Sequence, residues 1–460
     1  MTLPNPNSNL NLLWLSNHGS VGTGYGVETK LFAPLLKARG YGIAVAAMYG
    51  AEGFISTDEH GITQLPRLTA DDPLMNNVIK SHIGHVGADI VLTFLDAWAL
   101  NEEVYGKLNW CAWAPIDSTP MTPANKDALK RARWIWAMSR HGEAEMHKAG
   151  FGGKTMYVPL ATDTEVYKPV DRDEARQKLG KAWNCDLTEK FLVVMNSANK
   201  GRPSRKGFYE ALKAFAQFSR DFEDTILYIH TDILGLYGGE QIADIIELVG
   251  CDPTKLRFPE QYKYQYSLFS ENYLNYVYNA ADVFLSTSHG EGFGIPIIEA
   301  QAAGCPVILT DCTAMTELCR SGWLIKGGTD FMHLPGATQR LPDVDEVGNA
   351  LVAARCAALG DKYLRQEHWR NVFSRERARE KALAYDYRAV FDNYMKPALD
   401  RIAADLNEEQ AVETRRAELR KKYGLQRNTE SGSEHPDADA QSAGGDGGVP
   451  QFVGIDAAAL

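Results

Sequence analysis

Short β-rich runs alternate with helical patterns in two successive series along the 460-residue chain, and nothing else in it narrows the fold as much. The first series is Leu12–Ser16, Ile43–Tyr49, Asp89–Leu95, Trp110–Ala114, Trp134–Ser139 and Met156–Leu160. The second is Phe191–Asn196, Ile226–Thr231, Leu256–Pro259, Val283–Ser286, Val307–Thr310 and Leu324–Ile325. Strands separated by helices predict parallel sheets with crossover connections, so the chain is expected to be α/β with two Rossmann-like domains. The polar, proline-containing stretch Ala161–Asp173 reads as the linker, and open α/β sheets bind ligands in the crevice it spans. The expected division is 1–165 for the first domain, 166–372 for the second, 373–398 for a closing helix and 399–427 for a charged helix. Residues 428–460 are rich in Gly, Ser, Asp and Ala, and are expected to bury too little to order; truncation after Arg427 should spare folding.

Composition sets outer limits. With 45% hydrophobic and 23% charged residues the chain can fill two cores. A formal charge of −11 argues against a broad nucleic-acid surface, which needs clustered Lys and Arg. Seven cysteines, an odd number without a Cys-x-x-Cys pair, suit a reducing compartment. No apolar run reaches the roughly eighteen residues of a membrane span, and the N-terminal Met-Thr-Leu-Pro-Asn-Pro-Asn lacks the basic start of a signal peptide. A cytoplasmic location is expected, with peripheral membrane contact compatible with it.

Three loops carry chemistry. In Ser286–Pro306 a strand runs into Gly290, Glu291, Gly292, Phe293 and Gly294, and then into a helix that bears Glu299. Pro296 suits the first helical position, which needs no amide hydrogen, and this places Glu299 in the first turn, eight residues after Glu291. The glycines allow close backbone approach to a ligand, and a helix start offers free amides to an anion. In Asn199–Gly207 the cations Arg202, Arg205 and Lys206 meet another helix start, where extra positive charge costs stability unless an anion binds. Asn17–Gly26 follows the first strand and places Gly22, Gly24 and Gly26 at a third turn, before a helix expected over Val27–Arg39. Its spacing departs from the G-x-G-x-x-G of dinucleotide enzymes. Any one of these features alone fits a capped helix or a solvated loop; their shared register points to a phosphorylated sugar ligand.

The element Glu291-Gly-Phe-Gly-Ile-Pro-Ile-Ile-Glu299 resembles the E-x7-E element of the retaining glycosyltransferases of family 4, which have the GT-B fold. The resemblance covers roughly residues 10–395. It implies transfer of a sugar from a nucleotide-diphosphate donor to a saccharide, protein, lipid or small-molecule acceptor, with retention of configuration. By the same resemblance Glu291 lies beside the donor sugar, Glu299 holds the ribose hydroxyls, and Arg202 and Lys206 clamp the diphosphate. Arg205, Gly22, Gly24, Gly26, Gly292, Phe293 and Gly294 complete the donor side. Asp117, in Trp113-Ala-Pro-Ile-Asp-Ser-Thr-Pro120, stands where the family carries a His-Asp pair, but here Ile116 replaces the histidine.

Other signals are weaker. Ser139 and Arg140 suit either substrate contact or helix capping, and Glu317 reads best as a solvent-facing helix position. His82 and His85 lack partners for a metal site, and the Asp-x-Asp pairs at 171–173, 343–345 and 437–439 stand outside the expected site. No cofactor and no catalytic metal are expected. Two further readings stay open: a nucleotide-sugar-binding protein without turnover, and a glycosyltransferase acting on modified DNA.

Overall fold

The computed structural model describes residues 10–270, 272–359 and 366–423; the expectation for 428–460 lies outside them. The first sheet contains β1 (Asn11–Ser16), β2 (Gly42–Ala47), β3 (Ser56–Thr57), β4 (Thr63–Pro66), β5 (Ile90–Phe94), β6 (Trp110–Ala114), β7 (Trp134–Ala137) and β8 (Thr155–Tyr157). Their order is β3-β4-β2-β1-β5-β6-β7-β8, parallel except for the β3–β4 pair. The second sheet contains β9 (Phe191–Asn196), β10 (Thr225–His230), β11 (Leu256–Arg257), β12 (Val283–Ser286), β13 (Val307–Thr310) and β14 (Gly322–Ile325), ordered β11-β10-β9-β12-β13-β14 and parallel throughout. Both sheets are doubly wound, and strand order reverses at β1/β5 and at β9/β12, the points beyond whose carboxyl ends open α/β sheets bind ligands.

The expected strands are present, with some ends shifted: β2, β5, β7, β8, β10 and β11 stop earlier than expected, and β1, β2, β8, β10 and β14 begin earlier. The run expected over Trp134–Ser139 stops at Ala137, because Ser139 leaves the sheet to cap the helix Arg140–Lys148, its Oγ accepting from the amide of Gly142 at 3.0 Å. The pattern did not reveal β3, β4 or an antiparallel hairpin of β15 (Gly328–Leu334) and β16 (Ala337–Pro342) that follows β14.

Aromatic packing fixes the first sheet. Trp14, Phe94, Trp113 and Trp136 share one face: Phe94 and Trp113 stand 4.6 Å apart, Trp14 meets Trp113 edge-on at 5.8 Å, and Trp136 does so at 5.7 Å. Phe32 of the helix Gly24–Ala38 closes over Trp113 at 5.9 Å. Buried indoles need a partner for their N–H: Trp14 donates to Thr29 Oγ1 at 3.1 Å and Trp113 to the Val158 carbonyl at 2.8 Å.

The closing segment returns to the first sheet. Arg39 pairs with Asp392 at 3.1 Å, Tyr41 meets Phe391 edge-on, and Tyr157 meets Tyr394. The chain divides after Asp400 into the compact unit that holds both sheets and a second unit from Arg401, and the helix Lys396–Tyr423 runs across the division. No helix among the described residues is long and apolar enough to cross a membrane.

Candidate functional site

The loops that leave β9 and β12 emerge side by side at the reversal of the second sheet, and backbone contacts knit them together. Thr287 Oγ1 donates to the Gly207 carbonyl at 2.8 Å, and the His289 amide donates to the Arg205 carbonyl at 2.7 Å. Gly207 adopts φ +69°, and a Cβ there would lie 2.1 Å from the Thr287 carbonyl oxygen, so only glycine fits. This clasp brings Lys206 Nζ to 2.5 Å from Glu291 Oε1 and Arg205 Nη1 to 3.1 Å from Glu291 Oε2. Arg205 also donates to the Gly290 carbonyl, and its Nε lies 3.5 Å from Asp117 Oδ2 at the end of β6.

Burial would raise the Glu291 carboxyl, but Lys206 and Arg205 outweigh it and hold it down to about 2. Burial, aided by Arg205, pushes the Lys206 ammonium below its ordinary value. Burial works the same way on Arg205, but Glu291 and Asp117 reverse it and leave this guanidinium more basic than usual. Two partly buried cations are therefore held together, with carboxylates as their partners.

The two lobes meet at glycines. A Cβ on Gly290 would stand 2.1 Å from the Asp117 carbonyl oxygen, and one on Gly292 would stand 2.4 Å from Pro115 Cβ. Gly22 abuts Ser267 and Gly24 faces Ile295 at 3.3 Å. These residues thus admit the opposite lobe as well as leaving room for a ligand. The third glycine, Gly294, takes φ +116° as the cap of the helix Ile295–Ala302.

The second carboxylate has separate surroundings. The helix begins at Ile295, one residue before Pro296, so Glu299 is its fifth residue and lies beyond the first turn, a correction to the sequence reading. Tyr278 Oη donates to Glu299 Oε2 at 2.9 Å and accepts from Asn196 Nδ2 at 2.8 Å. Burial lifts the Glu299 carboxyl to about 7, against the hydrogen bonds from Tyr278 and Tyr167. Glu28, fully buried in the first lobe, accepts from the Ala161 amide at 3.0 Å, and burial, with Glu299 nearby, raises this carboxyl well above its usual range.

Comparison with known proteins places this geometry. A family model for glycosyl transferases group 1 matches residues 194–341. The serotype-specific mannosyltransferase WbdA of Escherichia coli is 32% identical over 215 residues, which are 42% of this chain and 24% of WbdA. A D-inositol 3-phosphate glycosyltransferase of Catenulispora acidiphila is 29% identical over 166 residues, 36% of this chain and 37% of that enzyme. The chain thus spans well under half the length of these curated relatives. Among solved structures, sucrose-phosphate synthase from Thermosynechococcus elongatus superposes with a TM-score of 0.62 at 17% identity, over 88% of this chain and 99% of that one. Anabaena HepE in complex with UDP and glucose does so at 0.58 and 16% identity, over 86% and 99%. The fold is GT-B.

In this GT-B frame several residues stand elsewhere than the motifs suggested. Arg205, not Arg202, joins Lys206 at Glu291; Arg202 is exposed and its Nε donates to the Gly239 carbonyl. Gly24 and Gly26 lie inside the first helix, which starts at Gly24 and not at Val27, with Thr23 as its cap. Phe293 is buried edge-on against Tyr385. Glu317 is half-buried, not solvent-facing, and accepts from the Arg140 amide at 2.8 Å across the lobes. Sequence reasoning missed Tyr25 and Asp96, whose side chains bond at 3.0 Å beside Asp117 and Arg205. An acid just past the carboxyl end of β5 was the available signal for Asp96.

Proposed function

We propose that this chain is a retaining glycosyltransferase of family 4 that moves a sugar from a nucleotide-diphosphate donor to an acceptor hydroxyl. The observation that carries the reading is the convergence of Arg205, Lys206 and Glu291 at the reversal of the second sheet, with Asp117 of the first lobe at its edge. Departure of the nucleotide leaves charge on the diphosphate, and two fixed, partly buried cations stabilise that charge more than they stabilise the bound donor. Held by Glu291, they are oriented before the donor arrives and need little reorganisation. These cations can neutralise the diphosphate without a metal, so transfer is read as metal independent.

Glu299, already bonded by Tyr278, can accept both ribose hydroxyls once its proton is lost. Glu291 stands beside the donor sugar, and the departing phosphate takes the acceptor proton. No covalent intermediate is assigned to either glutamate. The acceptor class is a saccharide, protein, lipid or small molecule, and the protein works in the cytoplasm, with peripheral membrane contact compatible with it.

The test begins with thermal shifts against UDP, GDP and ADP sugars, because a ligand bound to the folded state raises its apparent stability. Turnover of the stabilising donor is then followed, and the product anomer is read by NMR. An inverted product would defeat retention. Binding without hydrolysis or transfer would favour a nucleotide-sugar-binding protein, the reading that Ile116 in place of histidine suggests.

A further inference from the structure

Three consecutive residues of β16 tie together the two loops that bear the charged cluster. Thr338 and Thr119 exchange backbone hydrogen bonds at 3.0 and 2.9 Å, and Thr338 Oγ1 donates to the same Thr119 carbonyl at 2.7 Å. Gln339 Nε2 donates to the Asp117 carbonyl at 3.1 Å. The Arg340 amide donates to the carbonyl of His289, two residues before Glu291, at 2.9 Å. Side chains alternate along a strand, so Gln339 turns inward between its two partly exposed neighbours and is only 3% exposed. Its amide stands where the loops are nearest, since a Cβ on Gly290 would lie 3.1 Å from Nε2. From the facing strand Phe331 packs edge-on against His289 at 5.5 Å.

We infer that the β15–β16 hairpin is a strap between the lobes, and that Gln339 is a positioning residue that holds the Asp117 backbone opposite Arg205 and Glu291. Its kinetic consequence rests on the glycosyl-transfer reading; its mechanical part rests on the contacts alone. The chemistry favours an amide at this place. A glutamate could not donate to the carbonyl and would bring a further negative charge to Asp117 and Glu291, whereas a glutamine donates without charge. Stability alone does not account for the residue, because Gln339 Oε1 is buried without a hydrogen-bond partner among the described residues, an arrangement that burdens the fold.

The test compares the full chain with Gln339→Leu and the nearly isosteric Gln339→Glu. Hydrogen exchange of the peptide covering 115–122 is followed without ligand, and transfer is followed with the donor found by thermal shift. Gln339→Leu should melt near the parent value and Gln339→Glu below it, because its added charge is buried, while exchange in 115–122 rises about tenfold in both. Displacing a reacting group's support by a fraction of an ångström should lower kcat by up to about a hundredfold. Donor KM should stay within about threefold, because the diphosphate contacts are untouched. Unchanged exchange in both variants, or unchanged kcat in an active enzyme, overturns the strap. If one variant fails to fold, the other decides. If the parent binds and turns over none of the donors while exchange still rises, the glycosyl-transfer reading falls and the strap stands.

Discussion

The crevice walls contributed by the two sheets are built on different physics. On the second sheet, loops after β9 and β12 carry charge inside short sequence windows, and glycines let the loops touch. On the first sheet, the end of β6 is set by packing: Ile116 is 1% exposed beside Gly142, Trp113 is locked among aromatic rings, and Asp117 alone reaches the cluster. The contrast teaches that local motifs can write the charge-bearing wall, whereas the wall facing it depends on what packs behind it. Ile116 suits this position, since an apolar side chain is at home where the residue is fully buried.

The largest effect should come from breaking the charged wall. Lys206→Ala should lower kcat by on the order of a hundredfold or more, if it stabilises charge that grows on the leaving diphosphate. Single-turnover kinetics separate this from product release; a variant that loses only donor affinity would make the loop a binding clamp and not a leaving-group stabiliser.

The junction between the walls comes next. In Gly290→Ala the new methyl would meet the Asp117 carbonyl at 2.1 Å, so the lobes cannot close as they do here. We expect kcat/KM to fall tenfold or more, roughly the cost of a slight misplacement of reacting groups, while the melting temperature changes little. Wild-type activity in that variant would show that the lobes are further apart during turnover.

Glu299 supplies a pH test within the second lobe. Its carboxyl, ordinarily near 4.5, is lifted to about 7 by burial, so the folded protein holds a proton there that the unfolded chain releases. That proton's contribution to stability is full at low pH and declines as pH rises from about 4.5 through about 7. Glu291 behaves oppositely: its folded value is about 2, so its contribution is present above about 4.5 and is lost as pH falls toward about 2. If ribose hydroxyls bind the Glu299 carboxylate, donor affinity should strengthen as pH rises through about 7. Glu299→Gln should raise donor KM about tenfold, leave kcat nearly constant and abolish that pH dependence, as measured by titration calorimetry across pH.

The packed wall offers a smaller, sharper test. Ile116→His should not raise activity, and should cost about 1–3 kcal/mol in denaturant unfolding, because a polar imidazole would replace an apolar side chain that is 1% exposed. A gain in transfer rate would show that the first wall retains the family's chemistry after all. Chelation with EDTA should change least of all, leaving transfer essentially constant; recovery of lost activity by Mn or Mg would overturn the metal-independent reading.

Much of the frame was legible because β/α alternation and loop placement are local properties. β6, β9, β12 and β13 fall on the expected residues, and the loops after β9 and β12 carry the expected cations and glutamates. The hairpin was missed although Pro335-Gly336 marks a turn; Met332 and Leu334 are exposed, so its alternation does not announce a buried face. The start of the helix Ile295–Ala302 was misjudged by one residue, as helix boundaries often are when proline is the only marker.

By itself the sequence determined that two parallel sheets form, which loops lie at their carboxyl ends, and which residues there can meet an anion. Only the tertiary structure decided which cations pair with Glu291. Arg205 and Lys206 reach Glu291 across 86 and 85 residues of chain, and no spacing within Asn199–Gly207 tells their geometry from that of Arg202. The same holds for Asp96 with Tyr25, Glu28 beside Glu299, and Gln339 on Asp117. Each is a pairing of groups from distant segments, set by how twisted sheets, aromatic packing and close glycine contacts bring strand ends together, and such distances are not encoded in any one window of the chain.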